Sequence, residues 1–265
     1  LMAGDANTAV RVYSGHLEAS AAALDGGDGG GGGSWRRRQM GSGEREAQGM
    51  LATTLACCAR AGDADAASRV VEMARAHGVT VGADANNALV NALSRGARRE
   101  EATARARRVL AEEAEERSSG FQPHADVVAV NTALHALSRG PRPLEAADTF
   151  LALLRPPRRR SDDDSPPPPP PPIDIITLNT AVNACARARD ARRAFGVLHA
   201  ALRARPSLRP NLLTFTSLVH ACRRDRRAAD GRRAYAAYKL SAEAGVRPDA
   251  EFLAELRAVA AAVES

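Results

Sequence analysis

The stretches ANNALVNALSRGARREEA (Ala85–Ala102) and VNTALHALSRGPRPLEA (Val130–Ala146) are two copies of one pattern. In each copy, apolar residues recur at helical spacing, a break rich in Gly, Pro and Arg follows, and a second helical pattern comes after the break. The pattern recurs at LATTLACCARAGDADAA (Leu51–Ala67), LNTAVNACARARDARRA (Leu178–Ala194) and FTSLVHACRRDRRAADGRRA (Phe215–Ala234). Five copies in one register predict an array of helix–turn–helix repeats.

The ends of the repeats are set by turns that close the second helical pattern. The last residues of these turns are Gly82, Asp126, Asp174, Asn211 and Asp249. They divide the array into repeats 48–82, 83–126, 127–174, 175–211 and 212–249. The shortest, at 35 residues, sets the period, and the others carry insertions.

Segments outside these repeats are expected to differ in character. Residues 1–25 are interpreted as the second helix of a truncated repeat, and 250–265 as a half-repeat. Residues 26–47, rich in Gly and Arg, are expected to form a flexible insertion. A Pro-rich insertion covers about 156–172, and its polyproline character offers a site for protein partners. The start at Leu1-Met2 suggests a fragment of a longer chain.

The composition points to the same fold class. The chain has 57 alanines and only nine aromatic residues among its 265 residues. Alanine is the best helix former, whereas β-sandwiches and barrels need many more β-branched and aromatic residues. An all-α chain with closely packed helices is therefore predicted. Because no apolar run approaches the ~20 residues that span a bilayer, no membrane protein is expected.

Charge is distributed unevenly along the chain. The overall net charge is +6, and residues 175–265 alone carry 16 basic against 8 acidic residues. Such a basic segment suits an anionic partner, although arginine favoured by a GC-rich genome would look similar.

Motifs for catalysis or metal binding are not found. The chain lacks a phosphate-binding G-x-x-x-x-G-K-[ST] loop, a G-x-S-x-G nucleophile motif and an H-E-x-x-H zinc motif. Its four cysteines have neither C-x-x-C nor zinc-type spacing. We therefore expect no enzyme activity, no catalytic residues, no metal site and no cofactor.

The repeat resembles the pentatricopeptide repeat of the P type. The resemblance is carried by the openings IITLNTAVNAC (Ile175–Cys185) and LLTFTSLVHAC (Leu212–Cys222), the E-E-A at Glu100–Ala102 and the closing GVRPD at Gly245–Asp249. It covers about residues 48–265 and implies a right-handed α-solenoid. The tetratricopeptide repeat has a similar period, but its W-x-x-L-G-x-x-Y pattern is absent here.

The resemblance implies sequence-selective binding of single-stranded RNA, with about one base per repeat. In this family the fifth and the last residue of a repeat contact the Watson–Crick edge of one base. The corresponding pairs are Asn87/Asp126, Asn131/Asp174, Asn179/Asn211 and Thr216/Asp249, whereas Ala52/Gly82 offers no polar side chain. The family's recognition pattern pairs Asn/Asp with uracil, Asn/Asn with a pyrimidine and Thr/Asp with guanine. The implied RNA core is 5′-(any)-U-U-(C/U)-G-3′.

The resemblance also assigns the second residue of each repeat as a clamp that packs on the base faces. Val128, Ile176 and Leu213 fit this role, whereas Gly49 and Asp84 do not. Basic residues recur where the first helices end, and phosphate contact and interaction with the helix dipole both explain them. These candidate phosphate contacts are Arg95, Arg139, Arg187 and Arg224.

Purely structural roles exist for the base-contacting residues as well. The Asp and Asn residues that end the repeats are favoured helix caps. The fifth-position asparagines are poor helix formers, so their recurrence needs another reason, either a base contact or a hydrogen bond between helices.

Three functions remain open at this stage. The first is RNA binding in organellar RNA processing, stability or translation, with a mitochondrial or chloroplast location implied by the family resemblance. The second is a helical-repeat scaffold that binds a peptide. The third is the RNA-binding part of a protein-only ribonuclease P or of an editing factor, with the catalytic domain outside this chain.

Overall fold

The structure, a computed structural model, describes residues 6–25, 33–118, 127–155, 173–225 and 230–264. Every regular element in these ranges is an α-helix, which confirms the all-α prediction. The chain divides into two compact bodies, Leu1–Arg105 and Ala106–Ser265.

The first body contains four helices and the beginning of a fifth. They are α1 (Ala6–Asp25), α2 (Gly33–Ala61), α3 (Ala64–Ala76), α4 (Ala83–Arg95) and the start of α5 (Arg99–Ser118). Helix α2 packs against α4, and α1 packs against α2 and α3. The helices α2 and α4 are first helices of repeats, and α3 and α5 are second helices. Helix α1 therefore contacts one first helix, α2, and one second helix, α3.

The second body continues the same arrangement. After the end of α5 it contains α6 (Val127–Arg139), α7 (Leu144–Leu153), α8 (Ile175–Arg187), α9 (Ala191–Ala204), α10 (Leu212–Asp225), α11 (Asp230–Glu243) and α12 (Ala250–Glu264). First helices pack in the order α6, α8, α10 and α12, and the second helices α7, α9 and α11 each pack on their own first helix and on the next one. Helices α6 to α12 thus contact their neighbours in the stack, as in repeat proteins.

Small side chains allow this close packing. An alanine recurs at one position of every second helix and is buried in each case. These residues are Ala67, Ala102, Ala146, Ala194 and Ala234. Because alanine has only a methyl group, the helices approach closely and bury a thin, continuous layer of apolar atoms.

The turn between the two helices of a repeat has a recurrent geometry. Gly62 and Arg189 adopt positive φ angles of 72° and 60°, and the aspartate that follows each of them caps the second helix. Asp63 accepts a hydrogen bond from the backbone N–H of Ala66, and Asp190 accepts one from Arg193. Glycine adopts the left-handed conformation without steric cost, which explains the Gly-Asp signature of the first turn.

The segment 26–47 differs from the expected flexible insertion. Helix α2 begins at Gly33 and runs without a break to Ala61, so residues 33–47 are helical. Once α2 has formed, each added turn needs no new nucleus, and Arg, Gln, Met and Glu are good helix formers. Residues 26–32 lie outside the described residues, and so does the Pro-rich segment 156–172.

Candidate nucleic-acid interface

Three apolar side chains stand exposed on the first helices of the second body. Val128, Ile176 and Leu213 have exposed fractions of 54%, 56% and 59%. Each occupies the second position of its repeat and lies three residues before the fifth-position residue, on the same helix face. The structure therefore pairs an exposed apolar side chain with a polar one, a turn apart, on α6, α8 and α10.

Asn131 is joined to the beginning of the next first helix. Its Nδ2 donates to both carboxylate oxygens of Asp174, at 3.2 and 3.3 Å. The hydroxyl of Thr177 donates to Asn131 Oδ1 at 2.7 Å, and it lies 2.8 Å from Asp174 Oδ1. Asp174 and Thr177 also form a capping box that begins α8. The fifth and last residues of repeat 127–174 are thus in direct contact.

The same arrangement recurs one repeat later. Asn179 Nδ2 donates to Asn211 Oδ1 at 3.1 Å, and the Thr214 hydroxyl donates to Asn179 Oδ1 at 2.5 Å. The backbone N–H of Thr214 donates to Asn211 Oδ1, as in a helix cap. We call each set an asparagine bridge: Asn131, Asp174 and Thr177 form the first, and Asn179, Asn211 and Thr214 form the second.

In the second bridge the last residue of the repeat is the more exposed partner. Asn211 is exposed and Asn179 is buried, whereas Asp174 and Asn131 of the first bridge are both half-buried. In Asp174, Oδ1 accepts the bonds from Thr177, and Oδ2 accepts the longer of the two bonds from Asn131. A carboxylate oxygen has more than one acceptor site, so Oδ2 is able to accept a further bond. In Asn211, Oδ1 accepts the bridge and cap bonds, so Nδ2 is left for an outside partner. The first bridge therefore presents an acceptor and the second a donor.

The carboxyl of Asp174 is held in its charged form. Burial by itself raises its pKa, but the hydrogen bonds from Thr177, Asn131 and the backbone N–H of Ile176 outweigh that effect. The pKa of Asp174 is consequently lowered below its ordinary value. An ionised carboxylate only accepts hydrogen bonds, so the Asn131 amino group must face it.

The pair Thr216/Asp249 is not joined in this way. The hydroxyl of Thr216 donates to the backbone carbonyl of Leu212 in its own helix at 2.9 Å. Asp249 accepts the backbone N–H of Phe252 at 2.8 Å and caps α12. Phe252 occupies the position that Thr177 and Thr214 hold in the bridges, and it has no hydroxyl to offer.

The first two repeats provide fewer of the expected groups. Asn87 is half-buried in α4, while its partner Asp126 lies outside the described residues. Ala52 and Gly82 carry no polar side chain, and Gly82 begins α4 without a side-chain cap. At the clamp position, Gly49 and Asp84 are both exposed.

The basic residues fall into two groups by helix layer. Arg95, Arg139 and Arg187 lie in the last turns of α4, α6 and α8. Arg95 and Arg187 are exposed and Arg139 is half-exposed, whereas the side chain of Arg224 lies outside the described part. These first-helix arginines occupy equivalent places in successive repeats.

Other arginines form ion pairs between second helices. Arg107 pairs with Glu145 of α7 at 2.8 Å, and Arg193 pairs with Asp148 of α7. In the first body, Arg98 lies 3.7 Å from Asp65 of α3. The candidate phosphate contacts thus lie on first helices, whereas these ion pairs involve second helices.

Thr177 and Thr214 are the site residues that sequence reasoning missed. A threonine three residues after the Asp or Asn that ends a repeat is the available signal, because this spacing is typical of a helix cap. The cap spacing predicts the bond to Asp174, but not the bond to Asn131, which lies 46 residues from Thr177.

No metal centre is evident within the described ranges. No group of three His, Cys, Asp or Glu side chains there has the geometry to hold a metal ion. Burial and the charge of Asp190 raise the pKa of the Cys185 thiol to about 12, so it is not poised as a nucleophile. None of the described helices has the length and apolarity to cross a membrane.

Similarity to known proteins is found among solved structures. Neither a family model nor a curated protein matches the chain. Among solved structures it is similar to the crystal structure of the pentatricopeptide repeat protein PPR10 from maize, with a TM-score of 0.37 and 18% identity. The match covers 81% of this chain and 32% of that chain, so this chain spans about a third of its length.

The fold and the side chains of the site together define the class of protein. The chain is a helical-repeat protein whose first helices, in the second body, carry paired polar side chains next to exposed apolar ones.

Proposed function

We propose that the chain binds single-stranded RNA sequence-selectively, with one base at each of the repeats from 83–126 to 212–249. The observation that carries the proposal is the pairing of an asparagine bridge with an exposed apolar side chain one helical turn away. A base needs both: a π-face packs on apolar groups, and a Watson–Crick edge needs donors and acceptors at fixed places. An exposed apolar side chain contacts water, and its burial against an incoming base would lower the free energy.

The polar groups of the bridges match the bases that the family resemblance implies. Uracil carries a donor at N3, which suits the acceptor Oδ2 of Asp174. Cytosine carries an acceptor at N3, which suits the amino group of Asn211. This complementarity supports uracil opposite repeat 127–174 and cytosine opposite repeat 175–211, where the family pattern gives either pyrimidine. The proposed core remains 5′-(any)-U-U-(C/U)-G-3′.

The base-contacting set of the proposal is Asn87, Asp126, Asn131, Asp174, Asn179, Asn211, Thr216 and Asp249. Val128, Ile176 and Leu213 pack on the bases. The arginines at the ends of the first helices contact phosphates. We further propose that the protein acts without catalysis of its own, in organellar RNA processing, stability or translation, by occluding the segment that it binds.

A titration with short fluorescent RNAs tests the proposal. We expect an RNA that contains UUCG to bind at least about tenfold more tightly than oligo(A) of equal length, and both affinities to fall with added salt. Equal binding of the two RNAs, with little effect of salt, would contradict RNA recognition. It would instead favour the peptide-binding scaffold.

A further inference from the structure

The bridges contain a residue with no assigned part in base recognition, the threonine at the third position of the following repeat. Thr177 and Thr214 are fully buried. Each belongs to the repeat after the one whose asparagine it contacts. The contact joins residues 46 and 35 positions apart in the chain.

The threonine hydroxyl is one of two groups that set which way the asparagine amide points. Thr177 Oγ1 accepts the backbone N–H of Asp174 at 3.0 Å, so its own proton is available for donation. Two acceptors lie within reach of this proton, Asn131 Oδ1 at 2.7 Å and Asp174 Oδ1 at 2.8 Å. The other end of the amide faces the Asp174 carboxylate, which accepts only. A half-turn of the amide would set the Asn131 oxygen against that carboxylate and its amino group against a donor proton.

An amide held in one orientation distinguishes uracil from cytosine. Uracil has a donor at N3 and an acceptor oxygen on C4, whereas cytosine has an acceptor at N3 and a donor amino group on C4. A side-chain amide carries one donor end and one acceptor end, so a half-turn of the amide exchanges the same two groups. An amide that is free to turn therefore accommodates both bases.

We propose that Thr177 and Thr214 are positioning residues that determine base specificity by holding Asn131 and Asn179 in one amide orientation. The inference rests on the proposed RNA-binding function and deepens it. It makes the specificity of one repeat depend on a side chain of the next. It also distinguishes the repeats from one another, since Phe252 takes the equivalent position after repeat 212–249.

The test uses the whole chain and RNAs that differ only in the base opposite repeat 127–174. Wild-type protein is expected to prefer uracil there. Thr177→Val removes the hydroxyl at nearly constant volume and should lower the uracil-to-cytosine affinity ratio by about threefold to tenfold, the worth of one hydrogen bond. Thr177→Ser restores the hydroxyl and should restore the ratio.

Thr149→Val is the matched control. Its hydroxyl donates to the Glu145 carbonyl within α7, in the same repeat, outside any bridge. This variant should keep the wild-type ratio. A thermal melt of each variant separates loss of folding from loss of discrimination. If Thr177→Val does not fold, Thr214→Val is tested opposite repeat 175–211, where it should lower the preference of the wild-type protein for cytosine over uracil.

Each outcome has a distinct meaning. If wild-type protein discriminates bases and Thr177→Val keeps the same ratio, the positioning role is overturned while RNA binding stands. If wild-type protein binds neither RNA, the proposed function falls, and the inference falls with it. If Thr149→Val also lowers the uracil-to-cytosine ratio, the effect of Thr177→Val reflects a general loss of rigidity and not the orientation of the Asn131 amide. That result would overturn the inference.

Discussion

At the scale of the residue, Asp174 has a structural role beside its proposed contact with a base. It caps α8 through its Oδ1, and its Oδ2 accepts a hydrogen bond from the Asn131 amide. A helix cap is worth about 1 kcal/mol, which by itself explains an Asp or Asn at this place. The bonds from Thr177 use Oδ1, so they do not compete with the proposed base contact at Oδ2.

Exchanging Asp174 for asparagine should change base preference. Asn caps helices about as well as Asp, but the outward group of the side chain becomes an amino group, as in Asn211. We therefore expect Asp174→Asn to shift preference opposite repeat 127–174 from uracil towards cytosine. Competition binding with RNAs that differ at this base measures the shift. The converse variant Asn211→Asp should favour uracil opposite repeat 175–211, and an unchanged preference in both would contradict the assigned register.

The same aspartate should make stability depend on pH. Its pKa is lowered in the folded protein, so its contribution is complete above the ordinary Asp pKa of about 3.9 and is lost as pH falls through the folded value. We expect the unfolding free energies of wild type and Asp174→Asn to draw together as pH is lowered from about 5 to below 3. Urea unfolding across this range measures the difference. A difference that stays constant with pH would argue against the lowered pKa.

The exposed apolar residues make a separate prediction. Ile176 is 56% exposed, so Ile176→Ala should leave the thermal midpoint nearly unchanged. It should weaken RNA binding by about fivefold or more, because the variant lacks several carbon atoms that would be buried against the base, each worth about 0.8 kcal/mol. Val12→Ala is the matched control, since Val12 is equally exposed but lies on α1. Equal effects of the two variants on binding would refute the clamp role.

At the scale of the element, the turns are constrained by how closely the helices stack. A Cβ atom added at Gly96, which follows α4, would lie 2.7 Å from the Ala64 Cβ and 3.0 Å from the Gly62 carbonyl oxygen. These contacts are too short for carbon and oxygen atoms, and two of the three nearest atoms belong to backbone. The glycine is thus needed for packing between turns of successive repeats.

Gly96→Ala should accordingly destabilise the protein by about 1–3 kcal/mol, the usual cost of overpacking. Gly196→Ala serves as the control, because nothing lies within 4 Å of the added Cβ within α9. Alanine there should stabilise by about 0.5–1 kcal/mol through its higher helix propensity. Chemical denaturation measures both changes in the free energy of unfolding. If Gly96→Ala leaves this free energy unchanged, the turns of successive repeats are able to move apart.

The start of the first helices shows what local sequence predicts well. Helices α4, α6, α8, α10 and α12 begin at residues 83, 127, 175, 212 and 250, directly after the turn residues that delimit the repeats in the sequence. Caps and turns act over three or four residues, so a short window contains the information. The helical segment 33–47 was not predicted, because its extension depends on the helix that follows it rather than on its own composition.

At the scale of the whole molecule, the distribution of charge bears on the strength of binding. Arg187 and Arg95 end first helices, whereas Arg193 pairs with Asp148 between second helices. If the first-helix arginines contact phosphates, Arg187→Gln and Arg95→Gln should each reduce the slope of log affinity against log salt by about 0.7, the value for one single-strand phosphate. Arg193→Gln should leave the slope unchanged. RNA titrations at four salt concentrations measure this slope. If all variants have the same slope as wild type, Arg187 and Arg95 interact with the helix dipole and do not contact phosphates.

The sequence by itself determined the all-α repeat, its register, and the positions where Val128, Ile176 and Leu213 recur beside the fifth-position residues. These features depend on spacing within one repeat, and helical periodicity carries that information locally. Only the tertiary structure decided that Asn131 meets Asp174 and Thr177, and that Asn179 meets Asn211 and Thr214. The bridging partners are 32 to 46 residues apart, and they come together only when one helical pair stacks on the next. Thr216 keeps the same register but bonds to a backbone carbonyl of its own helix, as threonines in helices commonly do, and the following repeat has Phe252 at the position of the bridging hydroxyl.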